Sequence, residues 1–217
     1  MEKMKAKKTP FSVGIVERIK AYHPEGGLDT TAIFALDLMN PNHAKVRIHT
    51  ENVAMMAESI ALMLKKDAKA AFFAGLMHDT GKITLPGYLF DGRDITAEEY
   101  AEVKRHAISG FVALEEVHLF IAYCAGLHHA LYEKGYGLTI HDFPKNWQPK
   151  TVKKVLEIAA IVAVCDDIEA SLTRKTKMKG DAGKPGMSLK ERLEIKFPDD
   201  LQVVELALKI AKRIINR

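Results

Sequence analysis

The sequence predicts an all-α fold, and three features of the 217 residues support that prediction. Apolar residues recur at steps of three and four through Val53, Met56, Ala57, Ile60 and Leu64, which is the period of an amphipathic helix. The alternation of apolar and polar residues that is typical of a strand is nearly absent from the chain. Glycine and proline residues separate the periodic segments, as expected for loops that join helices.

Each predicted helix is a segment with this period or a long apolar stretch. Segments 44–65 and 199–216 have the clearest period, whereas 118–130 and 151–173 carry long apolar stretches. The predicted helices, in chain order, are 11–21, 28–39, 44–65, 68–77, 96–105, 107–116, 118–130, 151–173, 188–195 and 199–216.

Local signals place the boundaries between these helices. Thr96 with Glu99 three residues later predicts a capping box at the start of the helix 96–105. The stretches 134–149 and 174–184 are polar and contain glycine or proline, so they predict surface loops.

Composition limits the class of protein. Hydrophobic residues make up 47% of the chain, which suffices for one compact domain with a substantial core. The charged start, MEKMKAKKTP, does not resemble a signal peptide. An apolar run of about eighteen residues, as a membrane helix needs, is not found. We therefore expect a cytoplasmic protein that has no membrane partner.

Cysteine usage and charge narrow the class further. Cys124 and Cys165 both lie in apolar stretches, so they predict buried free thiols rather than a disulfide. The formal net charge of +4 is modest, and a nucleic-acid polymer is therefore not an expected partner. The basic residues of segment 174–184 could still attract a small molecule that carries phosphate.

Histidine and aspartate residues form the most informative pattern in the sequence. Imidazole and carboxylate together suit divalent iron, manganese or zinc. A pair of such ions can provide a nucleophile at neutral pH and neutralise the charge of a phosphoryl group. The residues of the pattern are His49, His78, Asp79, His106, His128, His129, Asp166 and Asp167.

The string AGLMHDTGKI shows how two of these residues could reach a common cleft. An apolar helix runs into His78 and Asp79 and then breaks at Gly81, so both side chains are expected at a helix terminus. Lys82 follows three residues after Asp79, where its ammonium could contact a phosphate oxygen.

The order of the motifs resembles that of the HD superfamily, and in particular its HD-GYP branch. The resemblance covers roughly residues 45–175. The strings that carry it are HDTGKITLP at 78–86, DITAEEY at 94–100, HAISG at 106–110, HHALYEKGYG at 128–137 and VAVCDDIEAS at 162–171.

This resemblance implies a helical bundle with a metal site between helices. It assigns residues 41–217 to the HD domain with its C-terminal helices, and leaves residues 1–40 as an N-terminal helical extension. It also implies two divalent metal ions (iron, manganese or zinc). The first would be bound by His49, His78, Asp79 and Asp166, and the second by Asp79, His106, His128 and His129.

The resemblance further implies a phosphodiesterase that hydrolyses a cyclic dinucleotide such as cyclic di-GMP. Asp79 and Lys82 would be the catalytic residues, and Lys82, Tyr136 and Lys175 would contact the substrate. The expected partner is thus a small phosphoester molecule, and a homodimer is compatible with the sequence.

Departures from the family pattern keep two alternatives open. The namesake Gly-Tyr-Pro is Gly-Tyr-Gly at 135–137, and Ala130 replaces a glutamate; both changes favour a nucleotide phosphohydrolase as one alternative. A non-catalytic nucleotide-binding signalling module is the other alternative. Lys45 stands where members with three metals carry a glutamate ligand, so two metals are expected.

Overall fold

A computed structural model describes residues 14–132, 135–173 and 186–216 of the chain. These residues contain helices and no strand, which confirms the predicted fold class. The α-helices are α1 (Ile15–Ala21), α2 (Leu28–Asn42), α3 (Ala44–Met63), α4 (Ala68–Met77), α5 (Ala97–Lys104), α6 (His106–Leu114), α7 (Leu119–Leu127), α8 (Pro149–Thr173), α9 (Leu189–Lys196) and α10 (Leu201–Ile215). Short 3-10 helices span Thr80–Thr84, Gly87–Phe90, Ile140–Asp142 and Pro198–Asp200.

The predicted boundaries agree with this structure apart from shifts of a few residues. Helix α2 continues through Asn42 rather than ending at 39, and α7 ends at Leu127 rather than at 130. The earlier end of α7 matters, because it places His128 and His129 in the turn that follows the helix. Residues 11–13 of the first predicted helix lie outside the described residues.

Side-chain caps fix where several helices begin. Asp67 accepts a hydrogen bond from the Ala70 amide at the start of α4, at 2.9 Å. The capping box of Thr96 and Glu99 is present at the start of α5, as predicted. Caps of this kind satisfy backbone N–H groups that have no partner within the helix.

Helices α3, α4 and α8 form the centre of the bundle, and α10 packs against α3 and α8. Small residues let the central helices approach closely: a Cβ at Gly75 of α4 would lie 2.8 Å from the Cα of Ala54 in α3. Ile19 of α1 and Leu36 of α2 belong to the same buried core. The described part of the N-terminal segment thus shares its core with the rest of the chain.

A second close approach involves the turn that follows α4. The 3-10 helix Thr80–Thr84 packs against α6, and a Cβ at Gly81 would lie 2.0 Å from the His106 carbonyl oxygen. Such a distance is far below van der Waals contact, so only glycine fits here. Gly81 thereby brings the end of α4 next to the start of α6.

Both cysteines are fully buried and unpaired, and burial raises the pKa of each thiol, so the prediction of buried thiols is confirmed. Among the helices described, none combines the length and apolar character that crossing a bilayer would require.

Candidate metal centre

The structure brings the imidazoles and carboxylates of the sequence pattern to one place in the bundle. They come from the first half of α3, the end of α4, the start of α6, the turn after α7 and the second half of α8. All of them are buried except His129, which is half-buried. The residues in this cluster are His49, His78, Asp79, His106, His128, His129 and Asp166.

Asp79 lies between two groups of imidazoles, and each of its oxygens faces a different group. Its Oδ2 lies 3.3 Å from Nε2 of His78 and 3.5 Å from Nε2 of His49. Its Oδ1 lies 3.2 Å from Nε2 of His106. This is the arrangement expected of a carboxylate that bridges two cations.

Asp166 is the second carboxylate of the cluster and lies between His49 and His129. Its Oδ1 lies 3.0 Å from Nε2 of His49, and its Oδ2 lies 3.7 Å from Nε2 of His129. The Nε2 atoms of His106 and His128 are 3.4 Å apart. The same ring nitrogen of each imidazole therefore faces the common centre.

Backbone carbonyls fix the orientation of three of these rings. His78, His106 and His128 each place Nδ1 at 2.6–2.7 Å from the carbonyl oxygen of the residue three positions earlier. A carbonyl oxygen can only accept, so Nδ1 must carry the proton in all three rings. Their Nε2 atoms are then left with a lone pair directed at the centre, as a metal ligand requires.

The remaining two imidazoles are oriented by side chains. Nδ1 of His49 lies 2.5 Å from the Glu169 carboxylate, which also accepts a hydrogen bond from Asn52 at 2.9 Å. Nδ1 of His129 lies 2.9 Å from the hydroxyl of Tyr132.

Three buried polar atoms at the centre have no hydrogen-bond partner within the part of the chain that the structure describes: Nε2 of His49, Nε2 of His78 and Oδ1 of Asp79. Leaving such atoms unsatisfied costs about 1–3 kcal/mol each unless another species binds them. His49, His78 and Asp79 offer ligand atoms that all lie within 4.8 Å of one another, and so do the three atoms of a second set, His106, His128 and His129. The residues present therefore fit a divalent metal centre.

The protonation states of most of the cluster agree with this fit. Burial lowers the pKa of His128 to about 3, helped by the neighbouring His78 and His106. Burial also lowers the pKa of His106 and of His129. These imidazoles are therefore neutral, which is the form that binds a metal.

Both carboxylates are ionised, although burial alone would raise their pKa. His78 and Lys82 outweigh burial at Asp79, and His49 outweighs it at Asp166, so each pKa is well below its usual value. Burial would lower the pKa of His49, but Asp166 and Glu169 raise it to about 9. The carboxylates thus favour positive charge at this point of the cluster.

Lys82 belongs to the same cluster and is only 5% exposed. Its Nζ donates to Oδ2 of Asp79 at 2.5 Å and lies 5.7 Å from the ring centre of Phe90. A buried ammonium beside the Asp79 carboxylate is well placed to meet an anionic group.

Tyr136 and Lys104 form a rim beside His129. The ring of Tyr136 stacks on His129 with 4.4 Å between ring centres. Nζ of Lys104 lies 5.7 Å from the Tyr136 ring and 4.8 Å from the Tyr100 ring. Lys175, which the sequence placed near the substrate, lies outside the described residues.

Three residues that support the site had no predicted role. Glu169 and Tyr132 orient imidazoles, and Lys104 supplies an ammonium at the rim. The position of Lys104 two residues before His106 was the one available signal. Nothing local indicates the contact between Glu169 and His49, because the two residues are 120 positions apart.

Comparisons with known proteins agree with this architecture. A family model described as HD domain matches residues 46–171. The crystal structure of the HD domain of the L. monocytogenes phosphodiesterase PgpH is similar with a TM-score of 0.53 and 16% sequence identity, over 84% of this chain and 97% of that chain. At this identity the similarity concerns the fold. A search of curated proteins returned no match.

Proposed function

Because this chain belongs to the HD domain family, we propose that it is a metal-dependent phosphohydrolase that cleaves a phosphodiester. One observation carries the proposal: five imidazoles direct Nε2 at a centre that also holds two ionised carboxylates. Neutral imidazoles and carboxylates are the ligands of binuclear hydrolytic sites that use iron, manganese or zinc.

The positions of the oxygens of Asp79 support a division of the ligands between two ions. We assign His49, His78 and Asp166 to one ion, and His106, His128 and His129 to the other, with Asp79 shared by both. When bound, two such ions lower the pKa of a water molecule and neutralise charge on the phosphoryl oxygens.

The side chains around the ligands have separate tasks in this proposal. Lys82 places its ammonium beside Asp79, where it can steady a non-bridging oxygen of the scissile phosphate. Tyr136 and Lys104 offer an aromatic face and a positive charge next to His129. Lys175 is proposed as a further substrate contact by its position in the sequence.

A cyclic dinucleotide such as cyclic di-GMP is the substrate class that we propose. A nucleobase can stack on an aromatic ring, and a second phosphate can meet a lysine. The rim of Tyr136 and Lys104, together with the neighbouring Tyr100, therefore suits such a molecule. The similar PgpH domain is itself described as a phosphodiesterase. The sequence motifs resemble those of the HD-GYP branch, which commonly acts on cyclic dinucleotides.

The test is hydrolysis of a panel of cyclic dinucleotides by protein loaded with manganese(II) or iron(II). We expect turnover of at least one member, and loss of that turnover in Asp79→Asn, which keeps the shape of the side chain but removes its charge. Metal content is measured on the same samples. A protein that holds two metals per chain and cleaves no member of the panel would exclude the proposed substrate class.

A nucleotide phosphohydrolase is the second candidate, and the sequence 135–137 favours it. Gly-Tyr-Gly replaces Gly-Tyr-Pro there, and Ala130 replaces a glutamate. Hydrolysis of deoxynucleotides by the metal-loaded protein, with none of cyclic dinucleotides, would decide for this candidate. A chain that binds no iron, manganese or zinc would instead be a non-catalytic module.

A further inference from the structure

His129 is oriented differently from the other imidazoles of the centre. Backbone carbonyls hold three of the rings, and the buried carboxylate of Glu169 holds His49. His129 instead has the neutral hydroxyl of Tyr132 at 2.9 Å from Nδ1. A phenolic hydroxyl is a weaker partner than a carboxylate and can either donate or accept.

We propose that Tyr132 is the positioning residue that holds His129 as a ligand, and that this contact sets the affinity of the second metal position. The proposal rests on the proposed metal-dependent function. Coordination through Nε2 requires the proton of His129 to lie on Nδ1, from which it is donated to the oxygen of Tyr132. Without the Tyr132 oxygen, no described hydrogen bond at Nδ1 fixes the ring orientation or the tautomer of His129.

The ring of Tyr132 is itself held in place by the end of α9. Nζ of Lys196 lies 4.2 Å from the centre of the Tyr132 ring, and Phe197 meets the same ring edge-on at 5.6 Å. Lys196 also donates a hydrogen bond to the buried carboxylate of Asp167, which anchors its ammonium on α8. The hydroxyl of Tyr132 is therefore presented to His129 by a packed ring rather than by a mobile side chain.

This arrangement makes the predicted effect local to one metal position. Loss of an orienting hydrogen bond to a metal-bound histidine weakens metal affinity by about 10–100-fold. The ligand atoms of His49, His78 and Asp79 form a separate group, and neither of those two imidazoles contacts Tyr132 through a described hydrogen bond. Tyr132→Phe should thus weaken the second manganese site and leave the first unchanged.

The experiment is a titration of the full chain with manganese(II), followed by calorimetry and by elemental analysis at buffered free metal. Tyr123→Phe is the matched control, since the Tyr123 hydroxyl donates to the Asp142 carbonyl at 2.7 Å and its ring packs on Phe143 and Trp147. Each variant removes a phenolic hydroxyl together with its described hydrogen bond, and of these two described bonds only the one of Tyr132 involves a ligand candidate.

The expected result is two binding steps in the wild type and in Tyr123→Phe, and a second step weakened about 10–100-fold in Tyr132→Phe. An unchanged first step in Tyr132→Phe shows that the variant is folded. An unchanged second step, or equal weakening of both steps, would overturn the role of Tyr132. A wild type that binds fewer than two manganese ions would count against the proposed function instead.

Discussion

Glu169 offers the sharpest test of how the first metal position is built. Glu169 is 2% exposed as a residue, and three donors point at its carboxylate. Oε2 accepts from Nδ1 of His49 at 2.5 Å and from Oγ1 of Thr173 at 3.2 Å, and Oε1 accepts from Asn52 at 2.9 Å. Glu169→Gln keeps the shape of this group but replaces one acceptor oxygen with a donor.

The size of the effect follows from these contacts. The amide oxygen can take the place of Oε2 and keep the bond to His49, while Asn52 turns its own oxygen towards the new NH₂ group. What is lost is the charge of the acceptor, and a hydrogen bond to a charged group is worth about 1.5–3 kcal/mol against about 1 kcal/mol for a neutral pair. The difference is about 0.5–2 kcal/mol. A value near the middle of this range, about 1.4 kcal/mol, corresponds to a roughly tenfold loss in the affinity of the first metal site.

The assay is calorimetric titration with manganese(II) at neutral pH. Glu58→Gln serves as the control, because Glu58 is also on a buried helix face, is 6% exposed, and pairs with Arg18 and Tyr22 away from the cluster. The control should lose stability without any change in metal affinity. Wild-type affinity in Glu169→Gln, or an equal loss in the control, would refute the reasoning.

Three further predictions concern catalysis and folding. Lys82→Met should lower turnover by about 10²–10³-fold at unchanged metal content, whereas Lys45→Met, which alters an exposed lysine bound to a backbone carbonyl, should retain activity in the same assay. Gly81→Ala should lower the free energy of unfolding by at least about 1–3 kcal/mol and reduce the amount of bound metal, because the alanine Cβ would meet the carbonyl of His106. A wild-type melting temperature and metal content in this variant would contradict the prediction. Asp67→Ala should destabilise the fold by about 1 kcal/mol at neutral pH through loss of the α4 cap. Part of the stabilisation by Asp67 requires its ionised form, because hydrogen bonds outweigh burial and lower its pKa in the folded state. The wild type loses this part as Asp67 is protonated, so the difference in melting temperature between the wild type and Asp67→Ala should shrink as the pH falls below about 4.

The sequence predicted the helices because their signals are local. Apolar period and capping residues such as Thr96 and Glu99 act within one or two turns, and the capping box is present at the start of α5. The end of α2 was predicted three residues too early, since the helix continues through Pro41 to Asn42. A proline lowers helix propensity locally, and whether packing outweighs that cost cannot be read from neighbouring residues.

The site was predictable where residue identity suffices and unpredictable where orientation matters. His78 and Asp79 are adjacent in sequence and meet as expected at the end of α4. The contact of Glu169 with His49 depends on how α8 packs on α3, which no pattern within either helix encodes. Tyr132 was overlooked for a similar reason, because a tyrosine in a loop gives no sign of which side chain its hydroxyl reaches.

The carbonyl partners of His78, His106 and His128 also bear on how such a centre can change during evolution. A main-chain oxygen is present whatever side chain its residue carries, so substitutions at Val103 or Ala125 leave that acceptor in place. His49 and His129 differ, because a substitution of Glu169 or Tyr132 replaces the hydrogen-bond partner of Nδ1 and so changes the basicity of the imidazole. Under selection for a different metal preference, we therefore expect substitutions at Glu169 and Tyr132 before any substitution of the metal-ligand candidates themselves.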